Sequence, residues 1–463
     1  MYFLAHQGNG YSGRTKFGLT PRKKGSCRST ACLRISGSAD YKVQSRSIVT
    51  AGEKQFLPAA SARLRCLVWL FVAGMLWLNL LFFLDFREGI KRGYPDFTVF
   101  YTAGTILREG HGHQLYDRDL QYAVQESFTG HIPFRGGPLP YIHPPFEAVI
   151  FTPLARLPYL KAFVVWDLIN LAALFAIVLL LRRSVEILGQ MPTWKVVVGS
   201  IAFFPVFACL LEGQDSILML LLCVLGFNAL EQRADLRAGG WLALAAFKFQ
   251  FIVPLVLLLA IWKRGRVALG FGAIATLLAL ASLALVGKDA LFHYPGYVLK
   301  VARTPNLGGV PAELLPNLHG LITGWRGPFS RAFGTAFAAV STIPLFLFAA
   351  WKGRAHSDKL GLQFSLAILI SVLIAWQTNS HDLSLLLLPL VLVSDYCLGW
   401  TKQKSGARFA LLIPISPLLI SPLWMLLWLV VGKVNLMAIP LLWWAWKIGN
   451  ELSRARVDAC YAP

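Results

Sequence analysis

The stretch CLVWLFVAGMLWLNLLFFL, residues 66–84, carries no charged side chain. About 20 consecutive apolar residues are enough for an α-helix to cross the hydrocarbon core of a bilayer. Similar apolar runs recur along most of the chain, and Pro or Gly interrupts several of them. The sequence therefore predicts an all-α polytopic membrane protein with roughly 12 transmembrane helices.

The composition excludes several classes of protein. Of the 463 residues, 56% are hydrophobic and only 14% are charged, whereas about 25% are charged in a typical soluble protein. A soluble enzyme, a disordered regulator and a single-span receptor are therefore excluded. The net charge of +21 would suggest nucleic-acid binding in a soluble protein. Here the basic residues lie mostly between apolar runs, where they set orientation, so no nucleic-acid partner is expected.

The chain divides into an N-terminal arm, a membrane domain and a tail. Residues 1–65 carry a large excess of Lys and Arg and no apolar period, which predicts a disordered, basic cytoplasmic arm attracted to anionic lipid. Residues 66–446 form the predicted transmembrane domain, and residues 447–463 a cytoplasmic tail. The positive-inside rule then places both termini in the cytoplasm.

Two long polar segments interrupt the apolar runs, at about 85–143 and 288–329. Loops of this length are usually functional, and the balanced charge of the first favours the non-cytoplasmic side. The apolar pattern that follows Asp96 predicts an interfacial helix in the first loop. The segment Trp241–Trp262 is interrupted near Lys248 and Pro254, and a tight, broken hairpin is expected there.

Polar side chains gather at the ends of the apolar runs. An ionisable group in a bilayer costs about 2.5–3.5 kcal/mol, so it needs a partner or a task. Each motif also has a simpler interpretation as a helix cap, a polar turn or a snorkelling side chain. The motifs are Tyr94-Pro95-Asp96-Phe97, Tyr141-Ile142-His143-Pro144-Pro145-Phe146-Glu147, Glu212-Gly213-Gln214-Asp215-Ser216, Lys248 within residues 245–250, Pro316-Asn317-Leu318-His319-Gly320 and Asn379-Ser380-His381-Asp382.

These motifs agree in their predicted location. With the N-terminus inside, Asp96, His143, Gln214, Asn317 and His381 all emerge on the non-cytoplasmic face, and Lys248 joins them if the hairpin forms. A lysine in so apolar a stretch should pair with a phosphate or a carboxylate. The sequence thus predicts an outer pocket that acts on a polar group.

The ordered set of motifs resembles the bacterial family 87 glycosyltransferases, and the resemblance extends over about residues 66–446. No single motif is decisive. The matching residues are Asp96-Phe97, Tyr101, Ala103-Gly104, Gly110, Leu115-Tyr116-Asp117, Tyr141, Pro144-Pro145, Pro153-Leu154-Ala155, Leu157-Pro158, Gly213-Gln214, Ser216, Lys248, Pro316-Asn317, Gly320 and Ser380-His381-Asp382.

The resemblance implies a glycosyltransferase-C fold in the bacterial inner membrane, with the active site on its outer side. Such enzymes transfer a hexose, often mannose, from a polyprenyl-phosphate sugar to a lipid or glycan acceptor and invert the anomeric centre. Asp96 matches the position of their catalytic acidic residue. The predicted substrate-binding residues are Tyr101, His143, Gln214, Lys248, Arg303, Asn317, His319, His381 and Asp382.

The chemistry of transfer suits these residue types. A carboxylate can take the proton of the acceptor hydroxyl as an oxocarbenium-like centre forms, and the leaving phosphate needs positive charge. Lys248 is the first candidate for that charge, with Arg303 and His381 as alternates. No glycine-rich nucleotide loop is visible, and no cofactor is predicted, because the lipid-linked sugar donor is itself a substrate. A divalent metal is possible but is not required by the residues present.

Two other classes of protein remain open from the sequence. A secondary transporter or flippase would use broken helices and residues near the bilayer midplane, which the interrupted segment around Lys248 fits in part. Another lipid-linked transferase, such as a polymer ligase, is also open. The long outer loops and their polar motifs favour the glycosyltransferase, because a transporter gains little from them.

Overall fold

The computed structural model describes residues 62–129, 139–303, 314–324, 331–354, 359–398, 409–422 and 435–460, and these contain helices and turns but no strand. Residues 1–61, which make up nearly all of the predicted basic arm, lie outside the described residues. The helices are α1 (Ala62–Lys91), α2 (Phe97–Arg108), α3 (Arg118–Thr129), α4 (Pro145–Phe151), α5 (Tyr159–Ser184), α6 (Glu186–Gly189), α7 (Thr193–Ala202), α8 (Phe204–Glu212), α9 (Ser216–Glu231), α10 (Asp235–Leu244), α11 (Phe249–Ile261), α12 (Gly265–Arg303), α13 (Leu318–Gly324), α14 (Arg331–Gly353), α15 (Leu360–Ile374), α16 (Leu387–Leu398), α17 (Ser416–Leu419) and α18 (Ala438–Cys460).

Five segments of the described chain are helical, long and apolar enough to cross a membrane, and there are seven if each of two bent helix pairs counts as one span. The prediction of an all-helical, polytopic membrane protein is therefore confirmed, whereas the count of roughly twelve spans and the glycosyltransferase-C architecture stay predictions. The five segments are Ala62–Lys91, Tyr159–Ser184, Gly265–Val301, Gly334–Gly353 and His381–Leu398.

Part of the difference in span number comes from helix length. The apolar helices α9 and α15 have only 16 and 15 residues, and a straight span needs about 20. Both are nonetheless apolar, and most of their side chains are buried inside the protein. An apolar run in the sequence does not distinguish such a buried helix from one that faces lipid.

The break near Lys248 is a kink. Helix α10 and the helical segment Ala246–Ile261 meet at an angle of 67°, far from the reversal of direction that a hairpin requires. The predicted tight hairpin is therefore wrong, although the interruption at Lys248 is confirmed. Pro254, the other predicted break, lies inside α11. A second kink of 73° separates α7 from α8, where Pro205 occupies the first turn of α8.

The described residues of the first long polar segment, 85–129 and 139–143, are largely helical, and α2 is packed into the protein. Helix α1 continues to Lys91, and ten consecutive residues of α2, from Phe97 to Ile106, are buried. Gly104 lets α2 approach α4, because a Cβ atom there would lie only 2.6 Å from the backbone of Phe151. The helix predicted after Asp96 therefore begins where expected, but it is covered on nearly all sides.

The second long segment begins as the continuation of a helix. Helix α12 runs past the predicted boundary at Lys288 to Arg303, with a non-helical Gly287 in its course. Residues 304–313 and 325–330, the middle and end of this segment, lie outside the described residues. Helix α13 follows Pro316 and Asn317 and lies within the predicted loop.

Two side chains of α5 hold the turn between α8 and α9. Trp166 Nε1 donates a hydrogen bond of 2.9 Å to the carbonyl of Gly213, and Asn170 Nδ2 donates one of 3.1 Å to the carbonyl of Gln214. Gly213 ends α8 in the left-handed conformation, with φ of 59°, which glycine adopts without steric cost. The turn therefore presents Gln214 and Asp215 in a fixed orientation.

We expect Gly213→Ala to destabilise the protein by about 1–3 kcal/mol. The new Cβ atom would lie 2.7 Å from Phe97 Cβ and 2.9 Å from the Phe163 ring, in a conformation that alanine disfavours. Thermal unfolding of the purified protein in detergent measures the effect. Gly272→Ala, where the new Cβ atom meets nothing within 4 Å, is the control and should not lower the unfolding temperature. Equal stability of both variants would contradict this account of the turn.

Candidate active site

One pocket brings together most of the predicted polar residues. It lies among the start of α2, the segment before α4, the turn before α9, the kink at Lys248 and the segment that follows α15. Its lining contains carboxylate, imidazole, amide and ammonium groups from distant parts of the chain. The polar and charged residues of the lining are Asp96, His143, Gln214, Lys248, Gln250, His319, Gln377, Asn379, His381 and Asp382.

Asp96 is held at the pocket by the turn after α8. Gln214 Nε2 donates a hydrogen bond of 2.7 Å to Asp96 Oδ2, and the backbone N–H of Asp96 donates one of 3.3 Å to Glu212 Oε2. Asp96 precedes α2 but makes no side-chain capping bond to it. The simpler interpretation of Asp96 as a helix cap is therefore wrong, because its carboxylate turns to Gln214.

Lys248 is the centre of a buried network and is itself only 3% exposed. Its ammonium group lies 2.8 Å from Asp215 Oδ1 and 2.6 Å from Asp382 Oδ1. It also donates to Ser216 Oγ at 2.7 Å and to Gln214 Oε1 at 3.3 Å. Lys248 thus forms the predicted ion pair with two carboxylates, those of Asp215 and Asp382. The hydrogen-bonding capacity of its ammonium group is already used within the protein.

Gln214 connects Asp96 to this network. Its amide nitrogen faces the Asp96 carboxylate and its amide oxygen faces the Lys248 ammonium group. The opposite amide orientation would place an acceptor against an acceptor and a donor against a donor, so both neighbours favour the same orientation. Asp96 is thereby oriented by a chain of polar contacts that ends on Asp215 and Asp382.

A second group of ionisable residues lies beside Lys248. His143 Nδ1 is 2.9 Å from Glu147 Oε2 and 3.6 Å from Asp215 Oδ2. Burial raises the pKa of the Glu147 carboxyl; His143 opposes this rise and the nearby Asp215 carboxylate adds to it. Burial alone would lower the pKa of His143, but the adjacent Glu147 raises it above its ordinary value.

Two more histidines face the same pocket. His319 Nδ1 lies 2.8 Å from the carbonyl of Trp376, a geometry in which Nδ1 carries the proton and donates. His319 Nε2 is buried and has no hydrogen-bond partner in the described part of the chain. His381 Nε2 lies 3.6 Å from Asp382 Oδ1. Both rings can therefore contact a ligand that enters the pocket.

Three predicted substrate-binding residues have other positions. Tyr101 Oη donates to the carbonyl of Leu157 at 2.8 Å, and its ring packs within the aromatic core rather than in the pocket lining. Asn317 is fully buried, and its amide bonds the carbonyl of Ala375 and the N–H of Gly320. Both residues therefore stabilise the fold. Arg303 is the last residue of α12, and its side chain is not among the described parts.

The sequence analysis did not select Glu147 and Asp215 as site residues. Both stood inside quoted motifs, where Asp215 was interpreted as a possible cap for α9. It makes no side-chain capping bond, because its carboxylate pairs with Lys248. The usable signal was their charge: a carboxylate next to an apolar run is a functional candidate by default.

Comparison with known proteins identifies a family and one curated relative. The sequence profile described as Glycosyltransferase family 87 matches residues 141–375, just over half of the chain. The matched part contains His143, Gln214 and Lys248, begins after Asp96 and ends before His381. No solved structure matches the chain.

One curated relative is a polyprenol-phosphate-mannose-dependent alpha-(1-2)-phosphatidylinositol pentamannoside mannosyltransferase from Mycobacterium tuberculosis (strain CDC 1551 / Oshkosh). It is 25% identical over 288 residues, which are 58% of this chain and 61% of the relative. The chain therefore spans less than two thirds of the length of this relative.

Proposed function

Because the chain belongs to glycosyltransferase family 87, we propose that it transfers a hexosyl group from a polyprenyl-phosphate sugar to a lipid or glycan acceptor. The observation that carries this proposal is the Asp96 carboxylate, which is oriented by Gln214 at 2.7 Å in a pocket lined with imidazole groups. The name of the mannosyltransferase relative supports mannose as the transferred sugar.

Asp96 is the proposed general base. It takes the proton of the acceptor hydroxyl as that oxygen attacks the anomeric carbon, and the displacement inverts the configuration there. The hydrogen bond from Gln214 orients the carboxylate without removing its ability to accept a proton. Gln214 is therefore proposed as the positioning residue for the base.

His319 and His381 are the proposed partners of the leaving phosphate. A phosphate that departs needs positive charge or aligned donors, and both rings line the pocket. Each ring supplies them only when the nitrogen that faces the phosphate carries a proton. For His319, whose Nδ1 faces the carbonyl of Trp376, that means a proton on Nε2 as well. Lys248, the first candidate from the sequence, already contacts two carboxylates. We therefore assign it to the network that holds Gln214 and Asp382, and its direct binding of phosphate becomes the weaker alternative.

The proposed orientation places the pocket on the outer face of the bacterial inner membrane and both termini in the cytoplasm. The support is the excess of Lys and Arg before the first apolar segment, which the positive-inside rule retains in the cytoplasm. A donor carried on a lipid is consistent with this side, because its sugar is available there without a nucleotide.

Incubation of the purified protein with a panel of polyprenyl-phosphate hexoses and a membrane lipid extract tests the proposal. We expect consumption of one donor, with a new glycosylated product in the mass spectrum, and no consumption of the matching nucleotide sugar. Use of the nucleotide sugar instead would contradict the assigned donor. Movement of a lipid-linked sugar across vesicles without any transfer would indicate a flippase.

A further inference from the structure

Three ionisable side chains converge at the wall of the pocket, in front of Lys248. His143 precedes α4, Glu147 lies in the first turn of α4, and Asp215 precedes α9. One ligand atom from each lies within 4.8 Å of the other two. The Glu147 and Asp215 residues are each 1% exposed, so water reaches them poorly, while His143 also lines the pocket.

With all three carboxyl groups ionised, the charges around this cluster do not balance. Glu147, Asp215 and Asp382 contribute three carboxylates, and Lys248 contributes the ammonium group that lies between Asp215 and Asp382. Burial of a charge without a counter-charge is strongly unfavourable. A divalent cation would remove all of the excess with the imidazole neutral. Protons on both His143 and Glu147, whose pKa values are raised above their ordinary values, would also remove the excess.

Several atoms of the cluster also lack hydrogen bonds. Glu147 Oε1, Asp215 Oδ2 and His143 Nδ1 are buried, and no described group forms a hydrogen bond of acceptable geometry with them. The approach of His143 Nδ1 to Glu147 Oε2, at 2.9 Å, is thus a close contact of two potential ligands. Unpaired buried polar atoms of this kind call for an ion, a water or a proton.

We propose that His143, Glu147 and Asp215 bind one divalent cation. Two adjacent ligand atoms at about 2.0–2.2 Å from an ion are separated by about 2.8–3.6 Å in octahedral or tetrahedral geometry. The observed separations from His143 Nδ1, 2.9 Å to Glu147 and 3.6 Å to Asp215, are close to that range. One imidazole and two carboxylates suit Mn²⁺ or Zn²⁺.

Neighbouring groups are in place to orient the ligands. Tyr141 Oη lies 3.3 Å from Glu147 Oε2 and 3.0 Å from the carbonyl of Pro144, so its single proton is shared between these acceptors. Lys248 contacts the other oxygen of the Asp215 carboxylate. Such outer contacts fix the orientation of ligands at metal sites. The sequence did not predict this site, because its ligands come from motifs that are far apart along the chain. Cation binding there goes beyond the proposed sugar transfer and does not require it.

The test is a binding titration of the full chain in detergent after removal of metals with EDTA. With Mn²⁺ as the probe, loss of the free-ion electron paramagnetic resonance signal should give one equivalent bound per chain, displaced by Zn²⁺. His143→Ala and Glu147→Gln should each weaken binding at least about 10-fold. His113→Ala removes an exposed histidine from the same segment of the chain and should leave the affinity unchanged.

A spectroscopic measurement on the unaltered protein tests the proposal even if the variants do not fold. Bound Mn²⁺ in the unaltered protein should show magnetic coupling to one imidazole nitrogen. The proposal is overturned if neither Mn²⁺ nor Zn²⁺ binds stoichiometrically, if bound Mn²⁺ shows no nitrogen coupling, or if binding persists in folded His143→Ala. A proton shared among the three side chains would then have to supply the missing charge.

Discussion

Asp96→Asn is expected to lower the rate of sugar transfer by about 10²–10⁴-fold, the usual contribution of a positioned general base. Asparagine can still accept the hydrogen bond from Gln214 through its amide oxygen, so the turn and the start of α2 keep their contacts. It cannot take a proton from the acceptor hydroxyl. The donor should therefore bind with nearly unchanged affinity while turnover is lost.

The measurements are single-turnover transfer followed by mass spectrometry, and donor binding in the same preparation. Asp119→Asn is the matched control, because Asp119 is exposed and lies in the same segment of the chain. It should transfer sugar at the rate of the unaltered protein. If Asp96→Asn is fully active, Asp96 is not the base. If Asp96→Asn is inactive but also unfolds at a lower temperature, its loss of activity is attributed to misfolding.

Lys248→Met should have the largest effect on stability, a loss of about 3–5 kcal/mol. Methionine matches the apolar part of the lysine side chain but leaves Asp215 and Asp382 buried at 1% and 3% exposure without their shared cation. Gln214 also loses the group that faces its amide oxygen. The variant should therefore lose activity together with stability.

The comparison for this variant is Lys161→Met, which removes an exposed lysine at the start of α5 and should change the unfolding temperature little. The double variant Lys248→Met/Asp382→Asn should recover part of the lost stability, because it removes one of the two stranded charges. If Lys248→Met is as stable as the unaltered protein, the ion-pair network does not hold this region.

The sequence predicted the elements that follow from a single local signal. Residues 66–84 predicted α1, the apolar run Leu160–Leu181 predicted most of α5, and Pro95-Asp96 predicted the start of α2. The interruption at Lys248 was also visible, because a lysine in an apolar run has few stable environments. Apolar period and charge position were sufficient for these features.

The rest depended on contacts between distant residues. Asp382 lies 134 positions from Lys248, and nothing local indicates that they form an ion pair. Asp96 and Asp215 both precede helices, so capping was the natural interpretation until their three-dimensional partners were visible. Asn317 carries a side-chain amide of the kind that often binds ligands. That amide instead forms hydrogen bonds with the carbonyl of Ala375 and the N–H of Gly320.

The most direct test of the proposed function is a structure of the full chain with an unreactive phosphonate analogue of the polyprenyl-phosphate sugar. We predict that the phosphonate contacts His319 or His381 and that the hexose lies in the pocket, with its anomeric carbon on the side of Asp96. A phosphonate bound outside the pocket formed by Asp96, Gln214 and His381 would contradict the account.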